Sequence, residues 1–200
     1  RVASAAALGF AASRLLGGLG CSLGLVRITV AGAELFTGNN LLAMAWASGQ
    51  VATWALLRNW ILVYAGNFAG AVGLAVLASG ARLHEAGGGA VGATALGIAT
   101  AKLHLGFVQA VLLGVLCNVL VCLAVWLCYG ARTISDKVLA ILFPIAAFVA
   151  AGFEHSVANM YFMPLGMMLN WGAPASFWSS IGATPADYAA IDFAGMVHNL

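Results

Sequence analysis

The same eight-residue pattern interrupts two long apolar stretches of this chain, and no other feature constrains the fold as tightly. Gly32-Ala33-Glu34-Leu35-Phe36-Thr37-Gly38-Asn39 is one copy, and Gly152-Phe153-Glu154-His155-Ser156-Val157-Ala158-Asn159 is the other. Gly, Glu and Asn fall at identical offsets. Each copy sets a carboxylate, a hydroxyl and an amide where the flanking residues are hydrocarbon. An ionisable group at membrane depth is costly and is kept where it faces a partner or a cavity. Matched interruptions in two halves of a membrane protein mark a permeation site between broken helices.

The flanking composition identifies the solvent. The 200 residues are 63% hydrophobic and 7% charged, whereas soluble domains carry roughly 25% charged residues. The chain therefore reads as an all-α polytopic integral membrane protein. Its net charge of +2 comes with no basic run, which excludes nucleic acid as a partner. Cys21, Cys117, Cys122 and Cys128 sit in apolar runs without metal-ligand spacing, so they read as small buried hydrophobes. No metal or other cofactor is expected.

A span needs about 20 mostly apolar residues. Residues 2–12 are too few and read as the rest of a truncated helix. Residues 15–32 form a span that runs into the first octapeptide, with a short helix over 41–48 beyond it. Residues 51–79 predict a long helix, whose Gly66, Gly70 and Gly73 mark a close-packing face. Residues 82–101 read as a Gly-rich connection and 105–129 as another span, with Trp126 and Tyr129 as interface anchors, the role expected of the tryptophans generally. Residues 138–152 lead into the second octapeptide, 159–169 form the short helix after it, and 170–195 read as a polar, aromatic loop. His84 and His104 read as solvated residues of a loop and a helix end. Because the chain starts at Arg1 and stops at His198-Asn199-Leu200, the expectation is a fragment, with a partial first span and an absent final one.

Arg132 and Lys137 make their loop the cytoplasmic one. Alternation then puts the Gln50 region inside and residues 82–103 and 170–197 outside. One broken helix enters from each side, which is an inverted repeat. Arg58-Asn59-Trp60 and His198-Asn199-Leu200 echo each other weakly after the two breaks.

These residues resemble the formate/nitrite transporter family. The resemblance covers essentially the whole chain. It is most specific at Ala33-Glu34-Leu35-Phe36-Thr37, Leu57-Arg58-Asn59-Trp60, Gly66-Asn67-Phe68 and the run Gly152 to Met160. It implies an aquaporin-like fold of six spans in the full-length protomer, residues 1–200 being one membrane domain of that type. It also implies a homopentamer in a bacterial inner membrane, with one pore per protomer carrying formate, nitrite or hydrosulfide, and no enzymatic activity. The family's pore histidine falls on His155, its pore threonine on Thr37 and its vestibule lysine on Lys102. Two constriction positions fall on Leu25 and Phe148. A third, aromatic in some formate channels, is Cys21 here, a departure that widens the pore at that position. Glu34, Glu154, Asn39 and Asn159 would support the two loops, the carboxylates by accepting backbone N–H bonds.

The chemistry suits these residue types. A bare carboxylate moved into a low-dielectric constriction costs tens of kcal/mol in the Born limit. Formic acid has a pKa near ~4, like an Asp side chain, so protonating formate at neutral pH costs about 4 kcal/mol. Crossing as the acid, or with a proton supplied at the centre, is the cheaper route. His155 would orient or protonate the anion, Thr37 would offer a hydroxyl, Lys102 would draw anions in, and Leu25 and Phe148 would exclude hydrated ions.

Each residue also has a plainer reading. His155 could be a packed histidine with satisfied hydrogen bonds, Thr37 a helix cap, Lys102 a snorkelling interface lysine, and Leu25 and Phe148 core. At the level of the whole chain, a nitrite or hydrosulfide pore keeps the fold and changes the substrate. An aquaporin-type neutral-solute pore would need paired Asn-Pro-Ala motifs, and Thr37-Gly38-Asn39-Asn40 and Val157-Ala158-Asn159-Met160 supply none. An intramembrane enzyme would need a nucleophile and base in reach, and His155-Ser156 adjacency is not such a geometry.

Overall fold

In hydrocarbon each unpaired backbone N–H or C=O costs several kcal/mol, so an apolar chain of this kind closes its hydrogen bonds within helices. The computed structural model describes residues 2–199, with side chains from Leu15 onward, and among these every regular element is helical. The helices are α1 (Val2–Ala31), α2 (Phe36–Asn39), α3 (Leu42–Ala47), α4 (Thr53–Gly80), α5 (Ala90–Leu103), α6 (Phe107–Gly130), α7 (Ile134–Ala151), α8 (Ser156–Gly172), α9 (Ala175–Ile181) and α10 (Phe193–Asn199). Short 3-10 turns lie at Leu83–Glu85 and Pro185–Tyr188. Helix α1 is kinked at Gly9, where φ is 77°. Among the described residues α4, α6 and α7 are each long and apolar enough to cross a membrane. Leu15–Ala31 and Phe36–Ala47, bent by 58° at the break between them, are together long and apolar enough for a broken span or a re-entrant loop.

The two octapeptides break their helices in the same way. Gly32 has φ 73° and Gly152 has φ 77°, a left-handed conformation that only glycine adopts without steric cost. Each glycine therefore ends the helix before it. Both helices restart at the fifth residue of the pattern, Phe36 in one copy and Ser156 in the other.

Several boundaries differ from the sequence reading. Residues 82–101, expected as a connection, hold α5 from Ala90 onward. The glycines that suggested a loop are concentrated at 87–89, ahead of the helix, while Gly92, Ala95, Leu96 and Ala99 repeat at helical spacing and are buried. Residues 170–195, also expected as a loop, contain α9 and a 3-10 turn, and α10 begins at Phe193. Helix α8 runs for 17 residues rather than the short stretch expected.

The described residues divide into two compact units. One joins Ala3–Gly66 to Val111–His155. Its core is built from Leu25 of α1, Cys117, Val121, Ala124 and Cys128 along one face of α6, and Ile141, Ile145 and Phe148 along one face of α7. Here α1 meets α7 closely: a Cβ added at Gly18 would lie 2.6 Å from the Cα of Ala146. Gly66, Gly70 and Gly73, expected to form a packing face, have no described atom within 4 Å of such a Cβ. Helix α7 opens with a capping box in which Asp136 N–H donates to Thr133 Oγ1 and Asp136 Oδ2 accepts from Thr133 N–H. The next residue ties three helices together. Lys137 Nζ donates to Thr29 O in the last turn of α1 at 3.4 Å, and Lys137 O accepts from the Cys128 thiol of α6 at 3.8 Å.

The other unit joins Asn67–Ala110 to Ser156–Leu200. Its core gathers Ala95, Leu96 and Ala99 of α5, Met163, Met167 and Leu169 of α8, and Phe177 and Trp178 of α9. Trp178 is thus a core residue rather than an interface anchor. His84, expected to be solvated, is 6% exposed. It lies edge-on to Phe177 at 5.1 Å, and neither ring nitrogen has a hydrogen-bond partner among the described residues. Its burial depends on a ring from α9, which its own neighbourhood does not reveal. Burial lowers the His84 pKa below its ordinary 6.5; Glu85 acts in the opposite direction and Arg82 in the same one.

This packing makes two predictions. Gly18→Val forces a branched side chain against the α7 backbone and should cost about 1–3 kcal/mol, as overpacking does, read as a lowered unfolding temperature in detergent. His84 is held neutral, so its contribution to stability is complete above pH 6.5 and is lost as pH falls through the lowered folded value. The unfolding temperature should drop more steeply below that pH in the parent than in His84→Gln.

Candidate pore-lining site

The break before α2 is the better-defined of the two. Residues 32–35 are non-helical, and α2 is a single turn, Phe36–Asn39. This segment exposes backbone groups that a continuous helix would have paired, and two helices of the first unit supply replacements. From α4, Trp60 Nε1 donates to Asn39 O at 3.1 Å. Asn39 Nδ2 donates to Glu34 Oε2 at 2.8 Å and to Asn59 Oδ1 at 3.0 Å, while Asn59 Nδ2 reaches Glu34 Oε2 at 3.4 Å. The Phe36 ring packs edge-on against Trp60 and Tyr64, with centroids 6.4 and 5.0 Å away. Trp60, expected as an interface anchor, is therefore part of the clamp. From α6, the Cys122 thiol donates to Thr37 O at 3.6 Å. Glu34 accepts from the side-chain amides of Asn39 and Asn59.

Thr37 is 7% exposed, and its hydroxyl has no hydrogen-bond partner among the described residues. The local backbone explains this. A helical threonine ordinarily donates to the carbonyl three or four residues back. Thr29 donates to Leu25 O and Val26 O, Thr94 to Ala90 O and Thr100 to Leu96 O. For Thr37 those positions are Ala33 and Glu34, which lie in the non-helical segment. The break itself leaves the hydroxyl unused. A buried polar group without a partner costs about 1–3 kcal/mol, and this one is available to a ligand.

The second break carries His155. Its ring stacks on Phe148 of α7, with centroids 5.8 Å apart and planes inclined by 26°. Glu154 beside it is buried. Phe148 and Leu25 belong to one apolar cluster, against which Leu35, Val125 and Phe153 also pack. The first unit thus gathers Leu25, Thr37, Phe148 and His155 of the expected residues, with Glu34, Asn39 and Glu154. Cys21 is exposed on α1 and lies outside that cluster. Lys102 is half-buried on α5 and belongs to the second unit, as does Asn159, whose Nδ2 donates to Asn199 O at 3.2 Å.

Each octapeptide asparagine therefore bonds an asparagine of a later helix, Asn39 to Asn59 and Asn159 to Asn199, which matches the weak echo between those stretches. From the sequence Leu35 and Val121 carry no role, and Cys122 reads only as a small buried hydrophobe. Leu35 lies in the break without a polar mark, and the other two sit inside an uninterrupted apolar run.

Known proteins similar to this chain bear on its family and fold. Residues 2–200 match the family described as formate/nitrite transporter. The chain is 41% identical over 180 residues to the formate channel FocA of Haemophilus influenzae and 40% identical over 180 residues to that of Escherichia coli, in each case covering 90% of this chain and 63% of the relative. It thus spans less than two thirds of their length. A solved pentameric formate channel with formate bound superposes with a TM-score of 0.89 at 40% identity, covering 98% of this chain and 76% of that one. A solved ion channel of the same family gives a TM-score of 0.69 at 28% identity, covering 100% of this chain and 85% of that one.

The clamp makes a prediction. Asn59→Ala removes the acceptor of one Asn39 bond and a donor to Glu34, so it should destabilise the first break by about 1–3 kcal/mol. Amide exchange over residues 33–40 should rise, with little change over 156–172.

Proposed function

The chain belongs to the formate/nitrite transporter family, and on that footing we propose that it conducts formate across a bacterial inner membrane, through a pore in each protomer of a homopentamer. Residues 1–200 are read as one membrane domain of that kind. The observation that carries the proposal is the pair of unusual side chains at the breaks: a buried threonine hydroxyl with no described partner, and a histidine stacked on Phe148. An anion needs a hydrogen-bond donor and a proton source at a dry constriction, and these are the groups that supply them.

In this reading Leu25 and Phe148 exclude hydrated ions, Thr37 donates to the anion and His155 orients or protonates it. Cys21 widens the passage at its position. Lys102 raises the local anion concentration at the entrance, a long-range effect that weakens with salt. Glu34, Glu154, Asn39 and Asn159 keep the two breaks in shape. The relatives named for formate favour formate as the substrate. Nitrite and hydrosulfide are the alternatives, being small monovalent weak-acid anions that the same donors would serve.

The test is uptake by the full-length protein in proteoliposomes, with formate, nitrite and hydrosulfide compared at neutral and acid outside pH. Formate flux should be fastest and should rise as outside pH falls. His155→Asn should flatten that pH dependence. Thr37→Val should slow flux about 10–150-fold, the equivalent of one hydrogen bond to a charged group. Faster nitrite or hydrosulfide flux would reassign the substrate, and a pH profile unchanged in His155→Asn would remove the protonation role.

A further inference from the structure

The proposed pore threonine makes two different demands on its surroundings. Its hydroxyl has to stay unused, while its carbonyl, at a helix break and buried, has to be satisfied. In α2 the backbone N–H groups three and four residues on are directed elsewhere: those of Asn40 and Leu41 both donate to Gly38 O. The donor that reaches Thr37 O is the thiol of Cys122, at 3.6 Å. One turn further along α6, Val125 packs beside the same segment, its Cγ2 3.6 Å from where a Cβ of Gly38 would stand. Phe36 and Asn39, on either side of Thr37 and Gly38, are held by Trp60 and Tyr64 of α4. A one-turn helix has almost no stability of its own, so its orientation is set by these contacts.

We propose that Cys122 is a positioning residue for Thr37: its thiol holds the Thr37 carbonyl and thereby fixes the direction of the neighbouring hydroxyl. The inference rests on the transport reading for its functional consequence, though the contact itself can be tested without transport. A thiol is a weak donor with no charge. It satisfies the carbonyl without offering the anion a competing strong site, and it is too poor an acceptor to capture the threonine hydroxyl.

The experiment has two arms on the full-length protein in lipid nanodiscs and proteoliposomes. In the first, the S–H stretching band of Cys122 is isolated as the infrared difference between the parent and Cys122→Ala, and amide exchange is followed over residues 35–41. A band shifted to the hydrogen-bonded position is expected, together with faster exchange over 35–41 in Cys122→Ala and its partial recovery in Cys122→Ser. A free-thiol band, or exchange unchanged in Cys122→Ala, overturns the proposal. Should Cys122→Ala fail to fold, the difference against Cys122→Ser gives the same band.

In the second arm, formate, nitrite and hydrosulfide uptake is measured against concentration. A positioning role raises the half-saturating concentration of the conducted anion about threefold to tenfold in Cys122→Ala, the range for one modest hydrogen bond. It leaves the rate at saturation nearly unchanged, with only partial recovery in Cys122→Ser, whose hydroxyl restores the carbonyl contact but also accepts from Thr37. An equal loss at every concentration signals fewer folded channels and overturns the positioning role. If the parent conducts none of the three anions, the transport reading fails, while the infrared and exchange results still decide the contact.

Discussion

A helix that stops part-way across a membrane leaves carbonyls and N–H groups with no water to receive them, and most of what is specific about this chain answers that problem. The glycines at 32 and 152 allow the chain to leave the helix, and residues nearby replace the hydrogen bonds lost. At the first break Trp60 and Cys122 donate to the carbonyls of Asn39 and Thr37, and the side chains of Glu34, Asn39 and Asn59 bond one another beside them. At the second, Asn159 is bonded to Asn199 and His155 is stacked on Phe148. Breaking the helix is tolerated because irregular backbone can present groups that a helix would consume. The Thr37 hydroxyl is the clearest case, since the same side chain two turns earlier, at position 29, is taken up by its own helix.

The broken spans and their glycines were legible in the sequence because a polar interruption in an apolar run is a local signal, and a repeated one doubles it. Thr37 and His155 stood out for the same reason. The elements that were missed share a different cause. Helix α5 comes after three glycines and looks like a linker, although its buried positions 92, 95, 96 and 99 have helical spacing. Helices α9 and α10 are seven residues each and lie among prolines and polar residues. Nothing in such short stretches separates a helix from a loop until packing is known.

Burial divided along the same line. His84 looked solvated because its neighbours are Arg82 and Glu85, yet Phe177, distant in sequence, covers it. Trp60 looked like an interface anchor because tryptophans at span ends usually are, but its indole N–H is committed to Asn39 O. Cys122 read as one more small hydrophobe in an apolar run, since its significance is a single contact with a backbone atom. Contacts of this sort depend on which helices become neighbours, which periodicity does not encode.

The Lys137 ammonium, lying on a carbonyl in the last turn of α1, has an electrostatic consequence as well as a mechanical one. The C-terminal end of a helix carries the equivalent of about half a negative charge. Helix α1 ends at Ala31, directly before the break, so an uncovered end would place that negative potential next to the Thr37 segment. One cation drawn in from the start of α7 offsets it. A chain with a net charge of only +2 thus sets one of its few cations where a helix end would otherwise leave negative potential beside the break.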